Sequence, residues 1–160
     1  MTIASPPDAA LQALSDHLLG MPPVRAMGLR VLGFDGEALR LQAPLAPNVN
    51  DKGCAFGGSL AGLMTLAGWG LATLKLGEAG QRAEVYVADS HVRYIAPLHV
   101  DLVAEATLAP GESWDAFLST FAARGRARIT LQARIALPDG GDACTLQARF
   151  AALAPAGTVG

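Results

Sequence analysis

Hydrophobic residues in this chain change their spacing several times, and each change marks an element. Across residues 9–21, Leu11, Leu14, Leu18 and Leu19 recur at helical steps. This predicts a helix with Asp8 as N-cap and Pro22-Pro23 as its end, and it places His17 on a surface of that helix. Residues 27–34 and 38–43 alternate as strands do, joined at Asp35-Gly36, a strong hairpin signal. After a polar loop over 47–53, the pattern turns helical again but without a polar face. Leu60, Leu63, Met64, Leu66, Leu71 and Leu74 fit helical spacing, with small residues between them and no charge between Lys52 and Lys75. Four strands are expected beyond this helix, over 83–96, 99–108, 126–137 and 143–153. A short amphipathic helix set by Trp114, Phe117, Leu118 and Phe121 interrupts them.

A helix that is apolar all round must be surrounded, by its own protein or by lipid. Its length approaches the ~20 apolar residues of a membrane span. Gly57, Gly58, Gly62, Gly68 and Gly70 lower both its hydrophobicity and its helix propensity, which favours a helix gripped by other backbone. Strands in runs around one isolated helix indicate an α+β fold rather than alternating βαβ units. The expected architecture is an antiparallel curved sheet wrapped around one central helix. The open side of such a sheet calls for a second copy of the chain.

Composition narrows the function. The 160 residues suit one domain, expected over 9–153, with a disordered start over 1–8 and a flexible tail over 154–160. A net charge of −2 is not the footprint of a nucleic-acid binder. Arg124, Arg126 and Arg128 form a local exception, readable as a solvated strand face or as a phosphate contact. Two distant cysteines and no basic-then-apolar leader point to the cytoplasm, with no membrane partner. The histidines and cysteines lack metal-ligand spacing, so no metal and no cofactor are expected.

Two stretches carry a resemblance. Asn50-x-x-Gly53-x-x-Phe56-Gly57-Gly58 opens the central helix, and Asp89-Ser90-His91-x-Arg93-Tyr94-x-x-Pro97 follows it. Together they resemble the hotdog-fold thioesterases, and among them the putative thioesterase family of the YiiD C-terminal type. The resemblance covers most of residues 10–153. It implies a hotdog fold, a homodimer with dimers of dimers as an option, and a substrate that is an acyl-CoA or acyl-carrier thioester, with coenzyme A entering only as part of that substrate. In the related phenylacetate-type thioesterases the motif reads Asn-x-x-Gly-x-x-His-Gly-Gly, with an acid seven residues later. Asn50, Gly57 and Gly58 match it; Phe56 replaces the His and Thr65 stands in place of the acid.

Thioester hydrolysis needs a stabilised oxyanion and an activated water. The N-terminus of the central helix supplies free N–H groups, and Gly57 and Gly58 let a substrate approach them closely; the same glycines also suit tight packing. With Thr65 unable to act as a base, Asp89 is the expected one, since a carboxylate within an apolar strand needs partners; a structural Asp is the alternative. Asp51 is second choice. Asn50 is expected to position the water. Asn48, Phe56, Gly58, Ser59, Thr65, Ser90, His91 and Arg93 are expected around the substrate, with Asn48 and Asn50 also readable as turn formers. Ser90 and His91 point to opposite faces of a strand, which excludes a triad. A non-catalytic acyl-CoA-binding module and a hydratase or dehydratase are the rival readings.

Overall fold

The computed structural model describes residues 6–157. Helix α1 (Pro6–Leu19) is followed by a second short helix α2 (Pro22–Met27). Then come β1 (Arg30–Phe34), β2 (Leu39–Ala43), a 3-10 turn (Ala46–Asn48), α3 (Gly57–Glu78), β3 (Glu84–Tyr94), β4 (Leu102–Leu108), α4 (Trp114–Arg124), β5 (Arg126–Ala136) and β6 (Asp142–Leu153). Two expectations at the N-terminus change. The helix begins at Pro6, so Asp8 sits in its first turn and not at its cap, while residues 1–5 lie outside the described residues. Pro22-Pro23 does end α1 but then opens α2, because proline is pre-shaped for the first turn of a helix. In the expected tail, residues 158–160 also lie outside the described residues.

All six strands form one antiparallel sheet in the order β1-β2-β4-β5-β6-β3. Alternation along β5 and β6 splits their residues cleanly. Ile129, Leu131, Ala133 and Ile135, with Cys144, Leu146, Ala148, Phe150 and Ala152, are buried against α3. Arg126, Arg128, Gln147 and Arg149 stand exposed on the other face. The central helix is buried at Leu60, Leu63, Met64, Ala67, Gly68, Gly70, Leu71, Ala72, Leu74 and Leu76.

Glycine makes that burial achievable. A Cβ at Gly68 would sit 2.6 Å from Phe150 Cζ, and one at Gly70 would sit 2.7 Å from Leu39 Cδ2. The sheet and the hairpin therefore approach the helix backbone where side chains are missing. By length and composition α3 is apolar enough to cross a membrane; in this fold the sheet, with α1 beside it, takes up that apolar surface.

Lys75 ties the β1–β2 hairpin to this helix. Its Nζ donates to Gly36 O at 2.5 Å and lies 5.6 Å and 5.7 Å from the ring centroids of Phe34 and Trp114. The lysine charge thus meets a turn carbonyl, two ring faces and the Glu78 carboxylate 3.7 Å away.

Candidate active site

The loop before α3 is built on two asparagines. Asn48 is 4% exposed, and every polar atom of its amide is engaged. Its Nδ2 donates to Met27 O at 2.8 Å and Pro44 O at 2.7 Å, while its Oδ1 accepts from Ser59 Oγ at 2.8 Å. Its backbone carbonyl accepts from Phe56 N at 2.7 Å. Asn50 folds the next turn: its Oδ1 accepts from Lys52 N at 2.8 Å and Cys54 N at 3.1 Å, and its Nδ2 donates to Cys54 Sγ at 3.2 Å. Asn48, Asn50 and Ser59, expected around the substrate and its water, use these polar atoms to fix the path of the chain into α3.

What this loop delivers is an unsatisfied helix end. Phe56 occupies the N-cap in extended conformation and has no side chain able to accept from the first turn. Its carbonyl accepts from Ser59 N and Leu60 N. The N–H groups of Gly57 and Gly58 have no acceptor among the described residues. Two exposed aromatic rings flank them. Phe56 lies over Gly58, and Tyr94 lies against Gly57, its hydroxyl donating to Gly57 O at 3.4 Å. Free N–H groups at the positive end of a long helix form a ready site for developing negative charge.

Asp89 lies elsewhere. Val87 pairs with Phe150 and Asp89 pairs with Arg149, so two steps along β3 match one along β6, and Ala88 is the extra residue of a bulge. The bulge reverses the alternation and turns Asp89 onto the sheet face away from α3. There Arg149 holds it through Nε at 3.0 Å and through a second contact from Nη2. This ion pair, reinforced by the nearby charge of Arg128, keeps the Asp89 carboxyl below the usual carboxylate range. Asp89, the expected base, is thus the carboxylate of an outer-face ion pair within this chain. His91 and Arg93 share its outer face and line a groove of about 310 Å³, and Ser90, opposite Ala148, faces the helix side. Asp51 is exposed and paired with Lys52.

A cavity of about 1160 Å³ runs between α1, α3 and the start of β3. Thr65 lines it, with Trp69 and Thr73 one and two turns further along the same helix. Trp69 Nε1 donates to Val85 O at 2.8 Å, and the His17 ring stacks on the Trp69 indole with centroids 5.2 Å apart. His17 is exposed, as expected, and shares with Ala10, Ala13, Leu14 and Met21 one helical stripe that lines this cavity. Among the described residues no three His, Cys, Asp or Glu side chains converge as a metal site would require.

Known proteins share this fold. A protein of unknown function from Chlorobaculum tepidum TLS is 32% identical, with 93% of this chain and 97% of that one covered and a TM-score of 0.86. A structure described as a putative thioesterase from Shewanella oneidensis is 27% identical over 92% of this chain and 99% of that one, with a TM-score of 0.80. A Pseudomonas aeruginosa protein of unknown function, described as a probable thioesterase, shares the fold at 22% identity, with 94% and 97% of the two chains covered and a TM-score of 0.76. The fold is thus the hotdog fold of these neighbours. The family described as "Putative thioesterase (yiiD_Cterm)" matches residues 11–154.

Proposed function

We propose that this chain, which belongs to the "Putative thioesterase (yiiD_Cterm)" family, hydrolyses acyl thioesters of coenzyme A or of a carrier protein, as a homodimer and without a metal. The observation that carries the reading is the uncapped end of α3, where two glycine N–H groups lack acceptors. One such donor aimed at an oxyanion is worth roughly 3 kcal/mol, or about 10²–10³ in rate.

The edge of the sheet supports the dimer. β3 ends the sheet, is eleven residues long, and leaves Tyr86, Val87 and Tyr94 exposed. An uncovered edge of this kind is a template for another strand. Tyr94, at one end of β3, touches Gly57; Val85, near the other end, touches Trp69. Antiparallel pairing of β3 with its copy about a two-fold brings the Gly57 end of one subunit to the Trp69 and His17 end of the other. The thioester carbonyl then rests on the N–H groups of Gly57 and Gly58, and water is held beside Thr65 and His17 of the second copy. Imidazoles exchange protons near neutral pH, which suits a base for water. His17 takes a proton from the water as its oxygen bonds to the carbonyl carbon; the tetrahedral intermediate expels the thiolate, which receives that proton, leaving acid and thiol.

Gly57→Pro tests the carrying observation. Proline fits the first helical position, follows an extended Phe56 without clash, and deletes the N–H. Turnover should fall by about 10²–10³, and by less in Gly57→Ala, which keeps the N–H but sets a Cβ 3.3 Å from Tyr94 Cε1. Equal activity in both rejects the oxyanion site. His17→Gln should abolish the base; if Asp89→Asn does so instead, the outer-face carboxylate is the base.

A further inference from the structure

Resting on the oxyanion site of the thioesterase reading, we infer that Tyr94 is a positioning residue, acting on the substrate through the Gly57–Gly58 peptide. Tyr94 Oη donates to Gly57 O at 3.4 Å. That carbonyl and the Gly58 N–H are the two ends of one peptide unit, kept planar by amide resonance. A donor on the oxygen draws electron density from the nitrogen, which makes the N–H a stronger donor in turn. The hydroxyl therefore reaches a thioester oxygen held by Gly58 N–H without touching it.

The backbone treats the preceding peptide in the same way. Its carbonyl, on Phe56, accepts from Ser59 N and Leu60 N, both at 3.0 Å, and its N–H belongs to Gly57. The Gly57 carbonyl receives one donor from the helix ladder, the N–H four residues on. Its second donor is Tyr94. Each of the two free N–H groups thus belongs to a peptide whose carbonyl has both lone pairs engaged.

Glycine at 57 is what admits the ring, because a Cβ there would lie 3.3 Å from Tyr94 Cε1 and 3.7 Å from Cζ. Strand pairing fixes the tyrosine backbone: Tyr94 pairs with Cys144, and Ile95 N donates to Ala143 O at 2.9 Å. The side chain is 60% exposed, and its hydroxyl has no other partner among the described residues. At 3.4 Å the contact is longer than the ~2.5–3.0 Å of an ordinary O–H···O bond, so it adds little to the resting fold. Negative charge on an oxygen bound at Gly58 N–H raises the acceptor strength of the Gly57 carbonyl and tightens the contact. The gain therefore belongs to the transition state and not to substrate binding.

Tyr94→Phe removes the hydroxyl and keeps the ring. A strengthening of about 10–30% in a donor worth about 10²–10³ in rate is a factor of about two to eight. With the acyl-CoA that the parent cleaves fastest in a thiol-release panel, Tyr94→Phe should lower kcat by that factor. KM and the unfolding temperature should stay where they are. In isotopically labelled protein without substrate, NMR should show the Gly58 amide proton moving upfield while that of Gly57 stays. A kcat equal to the parent's overturns the inference. So does a lower kcat with Gly58 unmoved, which puts the hydroxyl on the substrate itself, or a raised KM at constant kcat, which makes Tyr94 a plain binding contact. A parent that releases thiol from no acyl-CoA rejects the hydrolysis of these thioesters, and the Gly58 shift then decides by itself whether Tyr94 acts on that peptide.

Discussion

Asp89 and Arg149 face each other across the β3–β6 pair, on the sheet face turned away from the central helix. The pair depresses the Asp89 pKa from its ordinary 3.8, with the Arg149 hydrogen bond as the main cause. A depressed carboxylate stabilises the fold above its unfolded pKa, and that contribution disappears as pH falls through the lower folded value. Both side chains are about half exposed, so the effect on stability is small. A carboxyl-carbon NMR titration should place the Asp89 midpoint below 3.8, and Arg149→Ala should move it upward. A midpoint unmoved by that substitution would separate the two residues.

Asn48 is a matter of folding, not of binding. Asn48→Ala leaves the Met27 and Pro44 carbonyls without their donor and Ser59 without its acceptor. Each of these part-buried groups, so orphaned, costs about 1 kcal/mol, the low end of the range for buried ones. Urea unfolding should show a loss of at least that size, with the slope of the transition unchanged.

Gly68 and Gly77 should respond in opposite directions. A methyl at Gly68 runs into the buried Phe150 ring and should destabilise by about 1–3 kcal/mol. At Gly77 the methyl enters open space within a helix, and Gly77→Ala should stabilise by about 0.4–1 kcal/mol. Thermal unfolding of the two variants beside the parent checks both signs.

Cys144 is buried on β6 facing α3, and burial pushes its thiol up from 9.0 to about 11. A raised folded pKa means that the folded protein holds this proton more tightly than the unfolded chain. Its contribution is fully present below pH 9 and is lost as pH rises from about 9 to about 11. Stability should fall over that window, and Cys144→Ala should flatten the fall. At pH 8 the native thiol should resist alkylation that the unfolded chain undergoes at once.

Most of the architecture was written in local spacing. The apolar run from Leu60 to Leu76 could only be a surrounded helix, and the alternation in β5 and β6 could only be sheet with one buried face. These readings hold because period and polarity are properties of neighbouring residues. The glycine end of α3 was legible for the same reason: a run without a capping side chain leaves its first N–H groups without a local acceptor.

The placement of individual side chains was another matter. One extra residue, Ala88, sends Asp89 to the outer face, and nothing in the alternation of residues 83–96 marks a bulge. Asn48 reads as a turn former or a ligand until Met27, Pro44 and Ser59 converge on it from three separate segments. His17 gains meaning only from Trp69, fifty-two positions away and stacked on it. By itself the sequence determined a sheet around a glycine-ended apolar helix, because that is encoded by periodicity. Which groups meet at the site was decided by tertiary structure, because contact between distant segments depends on register, and register can change with a single residue.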